Sequence, residues 1–221
     1  VLVSSYDLVH EALKRHEDFS NRFGQAMAGK AAQDEELRDV QSEGYPNVDT
    51  MLTADPPEHK RFRGLVNKAF TPRRVDKLEP NIQKVADDLI AGFIQDGRFS
   101  VLRQFCVPLP LSVIADQLGV PSEDLPQFKR WTDGFVAQLG GMASKEEQVE
   151  AARLIVEYQH YFAERLAEAK AAPRDDIISD LVRARLEGER ALNTAESLSI
   201  IQQLLVAGNE TTASTIAAGL L

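Results

Sequence analysis

The sequence predicts a mainly α-helical fold with a small β contribution at its N-terminal end. Apolar residues recur at helical spacing through most of the 221 residues. Glycine or proline residues separate the successive helical segments. The short apolar run Val1-Leu2-Val3 indicates a strand instead. The chain shows no internal repeat and no low-complexity segment, so we expect one helical unit.

Helices are predicted over residues 6–15, 55–70, 80–93, 109–118, 125–139, 145–170, 175–186 and 194–221. Thr71-Pro72 adds a second helix-start signal. Between residues 19 and 53 no helical period is sustained. A loop of that length inside a compact domain is usually functional, as a lid or a binding loop, or else mobile.

Composition excludes several classes of protein. Hydrophobic residues make up 43% and charged residues 27%, values that are ordinary for a soluble globular protein. No apolar stretch reaches the length of a membrane span. A single cysteine excludes an internal disulfide and suits a reducing compartment, so we expect a cytoplasmic protein. The net charge of −9 argues against nucleic acid as the principal partner.

The segment 55–70 has clear signals of a helix with one buried face. Asp55 is a candidate N-cap, Pro56 suits the first helical position, and Glu58 completes a capping-box pattern. His59 and Arg63 lie on one helix edge, which suits an apolar ligand with acidic ends as well as an ordinary solvated surface. The predicted buried stripe comprises Phe62, Leu65, Val66, Ala69 and Phe70.

Positive charge is concentrated in a segment that overlaps the second half of this helix. Residues 60–77 contain seven basic residues and one acidic residue, a net charge of +6, so the rest of the chain has a net charge of −15. Such a patch on an acidic protein is a candidate docking surface for an anionic group or an acidic partner.

The last predicted helix contains a locally inconsistent segment, Ala207-Gly208-Asn209-Glu210-Thr211-Thr212. Glycine weakens a helix, and threonine hydroxyls can bond to a carbonyl three or four residues earlier. Glu210 and Thr211 at a helix bulge would supply an acid and a hydroxyl for a short proton relay. The alternative is a buried helix with a packing glycine and two satisfied threonines.

Together these two segments resemble a known family. Asp55-Pro56-Pro57-Glu58-His59-Lys60-Arg61-Phe62-Arg63 resembles the C-helix signature of bacterial cytochromes P450, which are haem-thiolate monooxygenases. The segment 207–212 resembles the family's I-helix motif, and the two motifs occur in the expected order. Residues 1–20 are similar to the strand and B helix that precede the family's substrate loop. The resemblance covers essentially the whole chain.

The resemblance implies a haem b cofactor, dioxygen as a co-substrate and a small or medium apolar organic substrate. His59 and Arg63 would hold a haem propionate, and Ala207 and Gly208 would let the helix approach the haem. Glu210 and Thr211 would deliver protons during cleavage of dioxygen.

The resemblance also implies contacts with the substrate and with an electron donor. The loop 25–52 would cover the substrate, with contacts expected from Met51, Leu52, Gln203 and Val206, while Phe135 and Leu139 lie on neighbouring helices. An acidic ferredoxin or flavodoxin-type donor would meet the basic surface formed by Lys60, Arg61, Lys68, Arg73 and Arg74.

The family's axial cysteine, in a glycine-rich loop after the I helix, has no counterpart here. Cys106 precedes the I-helix motif and has no flanking glycines, so we predict a buried core thiol. Both ends look cut. We therefore expect residues 1–221 to be a partial catalytic domain, inactive alone, with the iron ligand elsewhere in the protein.

Other all-α functions fit less well. A non-catalytic small-molecule-binding module, such as the sensor half of a repressor, is the main alternative, although no basic helix-turn-helix is evident. An isoprenoid synthase requires an Asp-Asp-x-x-Asp motif to hold magnesium, and neither Asp87-Asp88 nor Asp175-Asp176 fits it. Four scattered histidines and one cysteine indicate no zinc site.

Overall fold

The computed structural model describes residues 2–22, 34–139 and 143–220, without the side chain of Leu139. Within these ranges the chain forms ten α-helices and no strand. The helices are α1 (Tyr6–Lys14), α2 (Glu35–Ser42), α3 (Glu58–Ala69), α4 (Pro72–Asp76), α5 (Glu79–Phe93), α6 (Pro108–Gln117), α7 (Leu125–Leu139), α8 (Lys145–Ala171), α9 (Ile177–Arg183) and α10 (Thr194–Gly219). A π-helical turn, Leu102–Cys106, precedes α6, and a 3₁₀ turn, Ser122–Asp124, precedes α7.

The predicted N-terminal strand is not formed by the residues described there. Leu2 and Val3 are exposed and lie outside regular structure, and Val1 lies outside the described residues. A strand requires hydrogen bonds to a neighbouring strand, and the described part of the chain contains none. The mainly α-helical prediction is confirmed.

Two predictions based on local sequence, the Asp55 N-cap and the loop before residue 53, were wrong because contacts between distant residues decided the structure there. Asp55 does not cap α3, since its carboxylate accepts hydrogen bonds from the Ser20 hydroxyl at 2.6 Å and the Asn21 N–H at 2.8 Å. The helix begins at Glu58 instead, after Pro57. The segment predicted to be a loop contains α2, whose apolar residues pack against α8 in a small cluster. That cluster comprises Leu37, Val40, Val149, Ala152 and Val156.

The main core lies between α7, α8 and α10, and aromatic side chains fill it. Trp131 and Tyr158 meet edge to face with ring centroids 6.1 Å apart, and Phe135 meets Tyr158 at 4.9 Å. The buried Tyr158 hydroxyl donates to the Leu198 carbonyl at 2.9 Å. Burial raises the pKa of Tyr158 well above its ordinary value, so the phenol stays neutral. This hydrogen bond and the surrounding rings fix α8 against α10.

Helix α10 also packs on α6 and on the π-helical turn. Cys106, the last residue of that turn, is fully buried and forms no disulfide. This confirms the prediction of a core thiol. Because α6, α7, α8, α9 and the π-helical turn all contact it, α10 is the central helix of the described structure.

A buried carboxylate joins α3 to the start of α10. Glu196 is 3% exposed, and its carboxylate accepts hydrogen bonds from Arg61 at 2.9 Å and from both terminal nitrogens of Arg190 at 2.7 Å. It also completes a capping box by accepting from the Asn193 N–H at 2.9 Å. Arg61 in turn donates to the carbonyls of Arg190 and Ala191 and pairs with Glu189 at 3.2 Å.

These contacts decide the protonation of Glu196. Burial by itself raises the pKa of a carboxyl group, but the hydrogen bonds from Arg190, Asn193 and Arg61 outweigh it and lower the pKa of Glu196 to about 2. Because this lies below the ordinary value of 4.5, the stabilisation is complete above that value. It is lost as the pH falls from there towards 2.

Replacing Glu196→Gln in the full-length protein should lower the free energy of unfolding at pH 7 by about 3 kcal/mol, because it leaves two arginines without their buried carboxylate. Urea unfolding at pH 7 measures the loss, and the difference from the parent should shrink below about pH 4.5. The control is Glu189→Gln, which removes a 44%-exposed partner of Arg61 and should cost less than about 1 kcal/mol. Equal losses in both variants would contradict this account.

Candidate functional site

The middle of α10 has a buried side and an open side. Leu205, Asn209 and Ala213 face the core, whereas Ala207, Glu210 and Thr211 are exposed. The Thr211 hydroxyl donates to the Ala207 carbonyl at 2.6 Å, the back-bond predicted from the sequence. An acid and a hydroxyl therefore lie side by side on an exposed helix surface.

The predicted bulge is absent at this point. The α-helix is continuous from Thr194 to Gly219, and the Thr211 hydroxyl bonds to a carbonyl without displacing the backbone ladder. Thr215 repeats the arrangement by donating to the Thr211 carbonyl at 2.8 Å. The hydroxyl and the carboxylate are thus presented by a regular helix.

Ala207 and Gly208 face different neighbours. Ala207 is on the open side, next to Thr211. A Cβ on Gly208 would lie 3.6 Å from the Cδ1 of Ile114 in α6, an ordinary van der Waals contact. Gly208 therefore lies at the packing interface with α6, and Ala207 is the residue of the pair that leaves room on the open side.

His59 and Arg63 lie one turn apart on α3, with His59 half-buried and Arg63 exposed. Neither side chain forms a hydrogen bond or an ion pair with any residue that the structure describes. Their donors face no internal carboxylate, in contrast to those of Arg61. This pair suits an anionic group next to apolar surface.

The predicted basic surface divides into unpaired and paired side chains. Lys60, Lys68 and Arg73 are exposed and have no carboxylate partner within the described ranges. Arg61 is 13% exposed and belongs to the Glu196 network. Arg74 is 14% exposed, bonding to Asp175 at 3.1 Å and to Asp180.

The second paired site links α4 to α9. Lys77 joins Arg74 by donating to Asp175 at 3.2 Å, and the two cations together lower the pKa of that carboxyl group. Arg61 and Arg74 are therefore bonded within the protein, whereas the other three basic residues have no carboxylate partner among residues 2–22, 34–139 and 143–220.

Two of the predicted substrate residues, Leu52 and Gln203, are in direct contact. The amide oxygen of Gln203 accepts a hydrogen bond from the Leu52 N–H at 2.9 Å. Met51 and Val206 are half-buried against the main core. Phe135 is 2% exposed within that core. Residues 25–33 of the predicted loop lie outside the described residues.

The sequence reasoning missed several residues that position these groups. Glu196 could have been found from Asn193, since Asn-x-x-Glu is a capping-box pattern. Thr50, Ser199 and Gln159 gave no local signal, because their partners lie more than 100 positions away in the sequence.

No helix in the described part of the chain has the length and hydropathy needed to cross a membrane.

Comparisons with known proteins support one family. No protein-family model matches the chain. The chain is 39% identical over 170 residues to the putative cytochrome P450 YjiB of Bacillus subtilis, covering 76% of this chain and 43% of that protein. It is 36% identical over 172 residues to the cytochrome P450 monooxygenase PikC of Streptomyces venezuelae, covering 77% and 40%.

A solved structure agrees with the sequence matches. Cytochrome P450 CYP109Q5 from Chondromyces apiculatus superposes with a TM-score of 0.77 and 39% sequence identity, over 97% of this chain and 50% of that one. The chain thus spans about half the length of the proteins it matches, or somewhat less. With both motifs on the helices predicted for them, the chain belongs to the cytochrome P450 superfamily.

Proposed function

We propose that the protein containing this chain is a haem-dependent monooxygenase that inserts one atom of dioxygen into a small or medium apolar organic substrate. The main support is the open side of α10, where Ala207, Glu210 and Thr211 form an exposed surface with an acid, a hydroxyl and a small residue. The chain is then part of the catalytic domain. Haem b would supply the activation of dioxygen, and a cysteine outside this chain would hold its iron, because Cys106 precedes the motif at residues 207–212 and has no flanking glycines.

His59 and Arg63 fit the role of propionate donors. Their side chains are at i and i+4 on α3 and have no carboxylate partner among the described residues. Charge-assisted hydrogen bonds to a carboxylate are about twice as strong as neutral ones. The Arg61–Glu196 contact holds this helix to α10, so the donors and the open side of α10 are kept in a fixed relation.

Glu210 and Thr211 would handle protons. The Thr211 hydroxyl donates its hydrogen to the Ala207 carbonyl, so its oxygen lone pairs are free to accept from a donor on the open side. Glu210 precedes Thr211 in the chain and lies on the same open side of the helix, so its carboxyl group would be the acid of the pair. Together the two residues would place an acid and a hydroxyl next to Ala207.

For the electron donor, we propose an acidic ferredoxin or flavodoxin-type protein that meets Lys60, Lys68 and Arg73. Arg61 and Arg74 belong to internal ion pairs and act on this surface by fixing α3 and α4. For the substrate, Met51, Leu52 and Val206 are the proposed apolar contacts.

The reduced carbon-monoxide difference spectrum of the full-length protein tests the cofactor. We expect a Soret band at the long wavelength diagnostic of thiolate-ligated haem. Failure to take up haem would contradict the proposal and favour the alternative, a non-catalytic small-molecule-binding module.

Thr211→Ala in the full-length enzyme should reduce product formed per electron consumed by about a hundredfold, because it removes the hydroxyl that moves a proton. Thr211→Ser is the matched variant, since it keeps the hydroxyl and should retain most of the product yield. The amount of product and the number of electrons taken from the donor are measured in the same reaction. Similar losses in both variants would contradict a role for the hydroxyl.

Neutralising Lys60, Lys68 and Arg73 together by glutamine should slow association with an acidic electron donor by about tenfold at low ionic strength. The effect should fade as salt is added, since exposed charges are screened. Stopped-flow reduction measures the rate. Arg153→Gln, an exposed arginine on α8, is the control and should leave it unchanged. A triple variant with the parental rate and salt dependence would rule out this surface.

A further inference from the structure

The chain between α2 and α3 is held to α8 and α10 by side chains that bond to its backbone. The Gln159 side chain accepts from the Tyr45 N–H at 2.8 Å and donates to the Tyr45 carbonyl at 3.1 Å. A Cβ on Gly44 would lie 2.1 Å from the Gln159 amide oxygen, so only glycine fits beside this contact. The first part of the connecting segment is therefore fixed to α8.

A second set of hydrogen bonds fixes the later part of the segment to α10. The Ser199 hydroxyl donates to the Val48 carbonyl at 2.8 Å and lies 2.9 Å from the Thr50 hydroxyl, which is fully buried. The Gln203 amide nitrogen donates to the Thr50 hydroxyl oxygen at 2.6 Å. The Gln203 amide oxygen accepts from the Leu52 N–H at 2.9 Å.

Both ends of the Gln203 amide are thus used within the protein. A side chain whose donor and acceptor are already satisfied gains little by binding a polar group of a ligand. Leu52, by contrast, has a 57%-exposed side chain while its backbone N–H is held by Gln203. The exposed apolar side chain at this position is the one free to meet a ligand.

We propose that Gln203 is a positioning residue that sets the place of Leu52 for an apolar substrate and does not itself bind the substrate. The substrate part of this inference rests on the proposed monooxygenase function. The mechanical part, a glutamine that anchors residues 50–52 to α10, stands on the hydrogen bonds alone.

Hydrogen exchange of the Leu52 amide in the full-length protein tests the anchor. In Gln203→Met this amide should exchange about five- to tenfold faster, because it loses its acceptor. The neighbouring Gln202 is half-buried and its side chain makes no hydrogen bond to a described residue, so Gln202→Met is the matched control. The Ile94 amide at the end of α5, bonded to the Ile90 carbonyl at 2.9 Å, is an internal reference away from the anchor.

Gln203→Glu provides the rescue variant. Its carboxylate still accepts from the Leu52 N–H, and the Thr50 hydroxyl can turn to donate to it. We expect near-parental exchange at Leu52. Parental exchange in Gln203→Met, or equal acceleration in Gln202→Met, would overturn the anchor.

The substrate role is tested by comparing imidazole with 1-octylimidazole as ligands of the haem protein. If Gln203 positions Leu52, Gln203→Met should weaken binding of the octyl compound and leave imidazole binding unchanged. The reason is that the Leu52 N–H is no longer bonded to residue 203, so its side chain is no longer held in place for the octyl group. If Gln203 touched the substrate directly, the more apolar methionine would tighten octyl binding, and that result would overturn the positioning role. If the full-length protein binds no haem, the monooxygenase proposal is contradicted, but the hydrogen-exchange test of the Gln203 anchor remains valid.

Discussion

The buried carboxylate of Glu196 is the contact on which the arrangement of the two motif helices depends. An ionised carboxylate removed from water requires several hydrogen bonds to offset the loss of hydration. Here Arg190, the N-terminus of α10 and Arg61 supply them, and only Arg61 comes from another part of the chain. Because Arg61 is on α3, satisfying this one charge fixes the start of α10 against the helix of His59 and Arg63.

The basic segment 60–77 contains two kinds of charged side chain, those paired with carboxylates of the protein and those exposed without such a partner in the described structure. Arginines that face buried or half-buried carboxylates stabilise helix contacts, as Arg61 does with Glu196 and Arg74 with Asp180. The side chains without partners in the described part of the chain are those suited to external anions. His59 and Arg63 lie on one edge of α3, and Lys60, Lys68 and Arg73 are exposed on α3 and α4. One charged segment therefore contains both arginines that stabilise helix contacts and the side chains proposed to meet a cofactor and a partner.

The central helix combines these functions along its length. Its first turn receives the ion pairs, its second and third turns hold the connecting segment through Ser199 and Gln203, and its middle presents Glu210 and Thr211. Its buried residues pack against α6 and α8, so these groups are all presented by a rigid element. A disturbance at Glu196 would consequently reach both the connecting segment and the open side of the helix.

The sequence by itself determined the helical class, most helix spans, the core thiol Cys106 and the two family motifs. It also determined the buried stripe of α3, except that Phe70 follows the end of the helix and is 38% exposed. Each of these can be inferred from local residue spacing, from capping residues or from a short ordered motif. Only the tertiary structure decided that the Asp55 carboxylate serves Ser20 and Asn21, and that Arg61 belongs to Glu196, 135 positions away. It likewise decided that Gln203 holds Leu52 across 151 positions. Hydrogen bonds between distant residues leave no periodic trace in a single sequence, because the side chains that form them are brought together only when the helices pack.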